Sequence, residues 1–147
     1  MIKKIFSFLF FDKEIKEDVL FLKKIDVFKT FTLWQLKKIT TVLFKRTYLK
    51  NEIIYNKNEE TKLICLLKSG KIELFDGQNK SYILPNSKFG KKFMFCCDDR
   101  YSETAKASEE SEVYIIHKDD LESLMSSDTN IGFKITKMLL EILYNKK

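Results

Sequence analysis

A mainly β domain, with eight short strands forming a sandwich or barrel between flanking helices, is what this 147-residue sequence predicts. Three observations carry that expectation. Apolar residues recur at three- and four-residue spacing through the first third of the chain. From residue 46 to residue 117 the texture changes to short runs rich in Ile, Leu, Tyr, Phe and Val, cut by turn residues. After His117 the helical spacing returns and continues to the end.

In chain order, Asp12 is an N-cap candidate, and Ile15, Val19, Leu22 and Ile25 share one face of a first helix. Thr32 and Gln35 form a capping-box signature, after which Leu33, Leu36, Ile39 and Leu43 predict a second helix from about 33 to 45, with Lys37, Lys38 and Lys45 among its polar positions. The strand region is punctuated by Asn51, Asn58, Ser69-Gly70, Asp76-Gly77, Pro85-Asn86 and Gly90. KLICLL followed by KSGKIELF reads as a hairpin around Gly70, and SEVYII as the last strand. Asp119 and Glu122 mark a further helix start, and Asp128 precedes the apolar stripe Ile131, Ile135, Met138, Leu139, Ile142 and Leu143 of a closing amphipathic helix.

Composition bounds the function. With 44% apolar and 14% aromatic residues the chain supports one core and one domain, read as residues 13–147, preceded by a hydrophobic and basic segment, 1–12. The formal charge of +6 is concentrated early: residues 1–50 carry twelve Lys/Arg against five Asp/Glu, and the remainder fifteen against sixteen. Of the 27 basic residues only Arg46 and Arg100 are arginine, the residue that base and phosphate readout favour, so no nucleic-acid partner is expected. Residues 5–11, IFSFLFF, follow Lys3 and Lys4, are too short to span a bilayer and lack a small-residue cleavage site. They pack on the domain or a partner, or they give weak contact with a membrane surface through residues 1–11.

Cys65, Cys96 and Cys97 form neither a ligand pattern nor a disulfide framework, which fits a reducing cytoplasm. The lone His117 sits at the end of an alternating run and reads as a surface or strand-end residue. One histidine builds neither a metal cluster nor a nucleophile-base pair that the spacing supports, so the chain is expected to be no enzyme and to carry neither metal nor cofactor.

The order of elements, together with five local stretches, resembles the cyclic-nucleotide-binding domain family over roughly residues 20–144. These are FLKKIDVFKTFTLWQLKKI, YLKNEIIYNKNEE, LLKSGKIELF, ILPNSKFG and SEVYIIHKDDLESLM. The resemblance implies an eight-stranded β jelly roll, similar to the sensor part of the cAMP receptor protein without its helix-turn-helix module. Asn51 and Asn86 stand where the family usually has glycine, and Asn is the side chain that best tolerates the left-handed backbone such turns need.

Members that bind cAMP or cGMP use a Phe-Gly-Glu stretch, a small residue close behind it and a downstream Arg. The Glu accepts from the ribose hydroxyl, the small residue admits backbone N–H groups to the phosphate, and the Arg pairs with it. Here Phe89 and Gly90 match, Lys91 stands at the Glu position, and Phe93 takes the place of the small residue. Counting back from the TAKA stretch that begins at Thr104, the Arg position falls on Tyr101; counting forward from Gly90 with one residue fewer, it falls on Arg100. Ser102 follows directly and matches a position that is often Ser or Ala.

Two functional expectations follow from the resemblance. In one, the chain is a regulatory or interaction module with an altered phosphate cassette. Phe93, Met94 and Phe95 then stand in for the ligand, residues 130–144 rest on the sandwich without a nucleotide, and output passes through a protein partner or a homodimer. In the other it remains a sensor, binding a cyclic nucleotide or another small anion through Arg100, Lys91, Lys92 and Ser102.

Overall fold

A computed structural model describes residues 9–90 and 100–145. Among the described residues two helices and a 3-10 turn come first: α1 (Lys13–Lys24), the turn at Asp26–Phe28, and α2 (Leu33–Thr40). Eight strands follow: β1 (Leu43–Tyr48), β2 (Ile53–Tyr55), β3 (Leu63–Ser69), β4 (Ile72–Phe75), β5 (Lys80–Ile83), β6 (Ser87–Phe89), β7 (Thr104–Ala107) and β8 (Ser111–His117). Helices α3 (Lys118–Ser127) and α4 (Thr129–Asn145) close the chain.

The strands form two antiparallel four-stranded sheets, a first sheet in the order β1-β8-β3-β6 and a second in the order β2-β7-β4-β5. Strand alternation divides the apolar residues between two cores. Cys65, Leu67, Val113 and Ile115 face inward and meet Ile72, Ala105 and Ala107 of the second sheet between the layers. Leu66, Tyr114 and Ile116 face the other way and form a second core with the helices, around Val19, Leu22, Leu36, Ile131 and Ile135. The first two turns of the closing helix therefore rest against the helical layer and the outer face of the first sheet, while the side chains of Ile142 and Leu143 lie outside the described set.

The capping box forms as expected: Thr32 Oγ1 accepts from Gln35 N at 3.2 Å and Gln35 Oε1 accepts from Thr32 N at 3.0 Å. Asp12 takes the N-cap of α1 without a side-chain cap bond. Asn51 and Asn86 adopt φ of 72° and 67°, the left-handed backbone anticipated for them.

Two expectations need correction. The second helix stops at Thr40 rather than near 45. The Thr40 and Thr41 hydroxyls bond back to the carbonyls of Lys37 and Lys38, and the chain turns so that Leu43 and Lys45 enter β1, paired along its length with β8. Helical periodicity persisted into a segment whose β-branched residues and cross-strand partners favour extended backbone. The turn at Gly70 is likewise no hairpin, because β3 belongs to the first sheet and β4 to the second. Gly70 has φ of 94°, and a Cβ there would overlap Ser111 Oγ and lie 2.5 Å from the Glu110 carbonyl oxygen, so glycine is required where the chain crosses between sheets.

Candidate functional site

The matched pair Phe89-Gly90 closes β6. Phe89 pairs with Cys65 of β3, is buried, and stacks on Tyr55 with ring centroids 6.3 Å apart. Gly90 has φ of 103°, and a Cβ there would press to 3.2 Å from the Leu63 carbonyl oxygen. Lys91, Lys92 and Phe93, like Met94, Phe95, Cys96 and Cys97, lie outside the described residues.

The chain is described again at Arg100, which forms an isolated antiparallel bridge with Glu60. Tyr101 N donates to Glu59 O at 3.0 Å, and Asn58 N donates to Tyr101 O at 2.8 Å. Neighbouring side chains point opposite ways on extended backbone, so these two residues take different environments. Tyr101 is only 3% exposed, and its ring lies on Tyr55 with centroids 3.7 Å apart and planes 14° from parallel. Its hydroxyl accepts from Leu63 N at 3.0 Å and donates to Leu63 O at 3.3 Å. Burial pushes the phenol up to about 12, although the bond from Leu63 N works the other way, so it is neutral at physiological pH. Phe89, Tyr55 and Tyr101 thus fill this end of the inter-sheet core, and Gly90 fits beside them against Leu63.

Arg100 turns outward. It is exposed, and its Nη1 donates to Asn58 O at 2.8 Å. It shares an open cleft of about 610 Å³ with Lys57, Asn58, Tyr101, Ser102 and the β4–β5 turn residues Asp76 and Gln78. Thr104 Oγ1 supports one wall by accepting from Lys57 N at 3.0 Å, and Lys57 Nζ donates to Asp76 O at 2.7 Å. The Asp76 carboxyl sits below the usual range, held down by the Asn79 and Gln78 N–H groups and more weakly by Lys57. The cleft thus sets a guanidinium with further N–H donors, a serine hydroxyl and a lysine beside one carboxylate, that of Asp76.

Of the sequence-derived candidates, Arg100, Tyr101 and Ser102 meet at this cleft, Phe89 and Gly90 lie behind it in the core, and Thr104 braces its edge. Sequence reasoning missed Tyr55, Lys57 and Asn58. Only the left-handed φ of 71° at Asn58 had a trace in the sequence, as a turn residue.

The family profile described as "Cyclic nucleotide-binding domain" matches residues 45–128, more than half of the chain. The chain belongs to the cyclic nucleotide-binding domain family. Solved structures agree on this fold at low identity. The N-terminal domain of a transcriptional regulator from Streptomyces coelicolor A3(2) superposes with a TM-score of 0.75 at 11% identity, covering 86% of this chain and 92% of that one. The sensor domain of the transcriptional regulator DNR from Pseudomonas aeruginosa gives 0.74 at 14%, covering 92% and 94%. The cAMP-bound PfPKA-R gives 0.69 at 18%, covering 88% of this chain and 48% of that longer one. No curated protein sequence matches significantly. The eight strands, the N-terminal helices and the two closing helices are therefore those of a cyclic-nucleotide-binding jelly roll, in a family of regulatory domains.

Proposed function

We propose that this cyclic nucleotide-binding domain is a regulatory module with an altered phosphate cassette, one that does not hold cAMP or cGMP in the usual way. The observation that carries the reading is the environment of Tyr101, the residue that falls on the phosphate-pairing Arg position when the family pattern is counted back from Thr104. Its ring is stacked on Tyr55 and its hydroxyl is engaged by Leu63, so this side chain completes a core instead of offering a cation. Lys91 at the Glu position donates where the ribose needs an acceptor, and Phe93 replaces the small residue. Each lost charged contact is worth about 1.5–3 kcal/mol, so losing two weakens nucleotide binding by two to four powers of ten.

A second reading is supported by the cleft itself: Arg100, Ser102 and Lys57 are gathered around a space large enough for a small anion. Calorimetry with cAMP, cGMP, cyclic dinucleotides and inorganic phosphate separates the two. The first reading expects no heat of binding at micromolar ligand. Micromolar cAMP binding that disappears in Arg100→Ala would overturn it and establish the alignment through Arg100.

Output is proposed to pass through another protein or a second copy of the chain, since the closing helix presents Phe133, Leu140 and Tyr144 at 70%, 59% and 78% exposure. The free, buried Cys65 thiol is in keeping with a reducing cytoplasm. Phe10, 85% exposed beside the basic start of the chain, supports weak contact with an anionic membrane surface. Among the described residues no helix is long and apolar enough to cross a membrane.

A further inference from the structure

The outward face of the second sheet carries a row of four residues, one from each strand. Register places Ile53 beside Lys106, Lys106 beside Glu73 and Glu73 beside Tyr82. Their strand neighbours Ile72, Ala105 and Ala107 point the other way, into the sandwich. Ile53 is 51% exposed, Tyr82 48% and Phe75 39%. Lysines flank the rings: Lys71 Nζ lies 4.5 Å from the centroid of Tyr82, and Lys80 Nζ lies 5.8 Å from that of Phe75. Glu73 is shared between Lys80 at 3.9 Å and Lys106 at 3.8 Å, so one carboxylate answers three lysines and the face is cationic.

Among the described residues this face ends at an unpaired strand edge. Strand β5 is outermost in its sheet and, among the described residues, pairs only with β4. The β4–β5 hairpin is closed by a bond from Asp76 N to Asn79 O. Antiparallel alternation then turns the backbone groups of Ser81 and Ile83 toward β4 and those of Lys80 and Tyr82 away from the sheet. The residues with outward N–H and C=O groups are thus the ones whose side chains stand on the cationic, aromatic face. An edge of this kind is a template for a further strand.

We infer that β5 and the outer face beside it dock an extended acidic segment of a partner protein by strand addition. The partner backbone pairs with Lys80 and Tyr82, its alternate side chains lie on the outer face, an apolar one meets the Tyr82 ring, and carboxylates meet Lys71 and Lys80. A second copy is disfavoured, since pairing β5 with β5 continues one cationic face into another and brings no surplus carboxylate to Lys71 or Lys80. Single-stranded nucleic acid fits less well, because lysine heads already lie over the Tyr82 and Phe75 rings and a nucleic acid leaves the edge backbone groups unused. This inference is independent of what the cleft near Arg100 binds.

The test titrates the isotope-labelled full chain with an acetylated, amidated heptapeptide in which glutamate, valine and glutamate alternate with threonines, so that all three stand on one face of the added strand, while backbone amide shifts are followed. The expected shifts centre on residues 80–82 and spread to Lys71 and Lys106. The same peptide N-methylated on alternate amides along its pairing edge is expected to bind at least tenfold more weakly, and the same peptide with lysine in place of both glutamates not to bind. Lys71→Glu with Lys80→Glu is expected to weaken the acidic peptide tenfold with an unchanged melting curve. The inference is overturned by an absence of shifts at millimolar peptide, by shifts centred elsewhere, or by undiminished binding of the N-methylated peptide, which leaves the protein untouched. Tighter binding of oligothymidylate to the same face overturns it in favour of nucleic acid.

Discussion

Tyr101, which we propose stands at the family's phosphate-pairing position, is held in the inter-sheet core by Tyr55 and Leu63. Removing only its hydroxyl, in Tyr101→Phe, takes a partner from the part-buried Leu63 N–H and carbonyl and is expected to cost about 1 kcal/mol in urea unfolding, whereas Tyr101→Ala also loses the stack on Tyr55 and is expected to cost about 3–5 kcal/mol. Tyr101→Arg alone is therefore expected to lower stability without conferring cAMP binding; a ligand-dependent rise in melting temperature for that variant would show that the pocket needs only its cation. At Gly70 the strain of a side chain at positive φ adds to the overlap with Ser111, and Gly70→Ala is expected to lose more than the roughly 1–3 kcal/mol that backbone strain alone costs. Asn51→Gly and Asn86→Gly, at left-handed backbone that glycine also accepts, are expected to stay within about 1 kcal/mol of wild type.

Among the elements, α1 is locked to the first sheet by a polar group set against apolar packing. Buried Asp18 accepts from the Tyr114 hydroxyl at 3.1 Å and pairs with Lys45 at 3.0 Å, while Lys45 also reaches Glu14 at 2.7 Å and Lys68 Nζ donates to the Tyr114 hydroxyl at 2.8 Å. Asp18→Ala leaves a half-buried ammonium and a buried hydroxyl short of a partner, an expected loss of about 2 kcal/mol by urea denaturation. Burial opposes the charge on Lys45, but the bonds to Glu14 and Asp18 outweigh it and hold the group above the ordinary lysine range. A raised folded pKa means that this contribution is present below the unfolded value near 10.5 and is lost only as pH rises through the folded one. Glu14 runs the opposite way: its bond to Lys45 lowers it from 4.5, so its contribution is present above that pH and is lost as pH falls through the folded value. Asp128, lowered by Lys38 and by the N-terminal N–H of Ile131, behaves alike. Denaturation midpoints are expected to be flat from about pH 6 to 9 and to fall below about pH 4.5, the acid limb weakening in high salt. Thr32→Ala removes half of the capping box on α2 and is expected to cost about 1 kcal/mol.

At the scale of the whole molecule, the neighbours Phe10 and Phe11 take different environments. Phe11 is buried edge-to-face on Trp34 at 5.3 Å, with the Lys37 ammonium 4.6 Å from its ring, whereas Phe10 is exposed. Phe10→Ser is therefore expected to leave the unfolding midpoint in place, and Phe11→Ala to lower the stability by about 3 kcal/mol. Flotation with anionic vesicles at low salt is expected for the full chain and not for a chain starting at Asp12; equal flotation of both discards the membrane contact. The apolar side of α4 leads to an expected dimer in light scattering, and a mass near 17.5 kDa at high concentration removes it.

What the sequence determined by itself was the order of elements, both closing helices, the capping box at Thr32 and the left-handed turns at Asn51 and Asn86, because each is written in local spacing or in one residue's steric tolerance. Tertiary structure alone decided three other matters. The second helix ended at Thr40 because β8 offered Leu43 and Lys45 a paired strand. Gly70 marked a passage between sheets because which strand pairs with which depends on contacts far apart in the chain. Tyr101 turned inward while Arg100 turned outward, and adjacent residues on extended backbone could not both face the same environment; only Tyr55, Leu63 and Asn58, brought from another part of the chain, decided which went where.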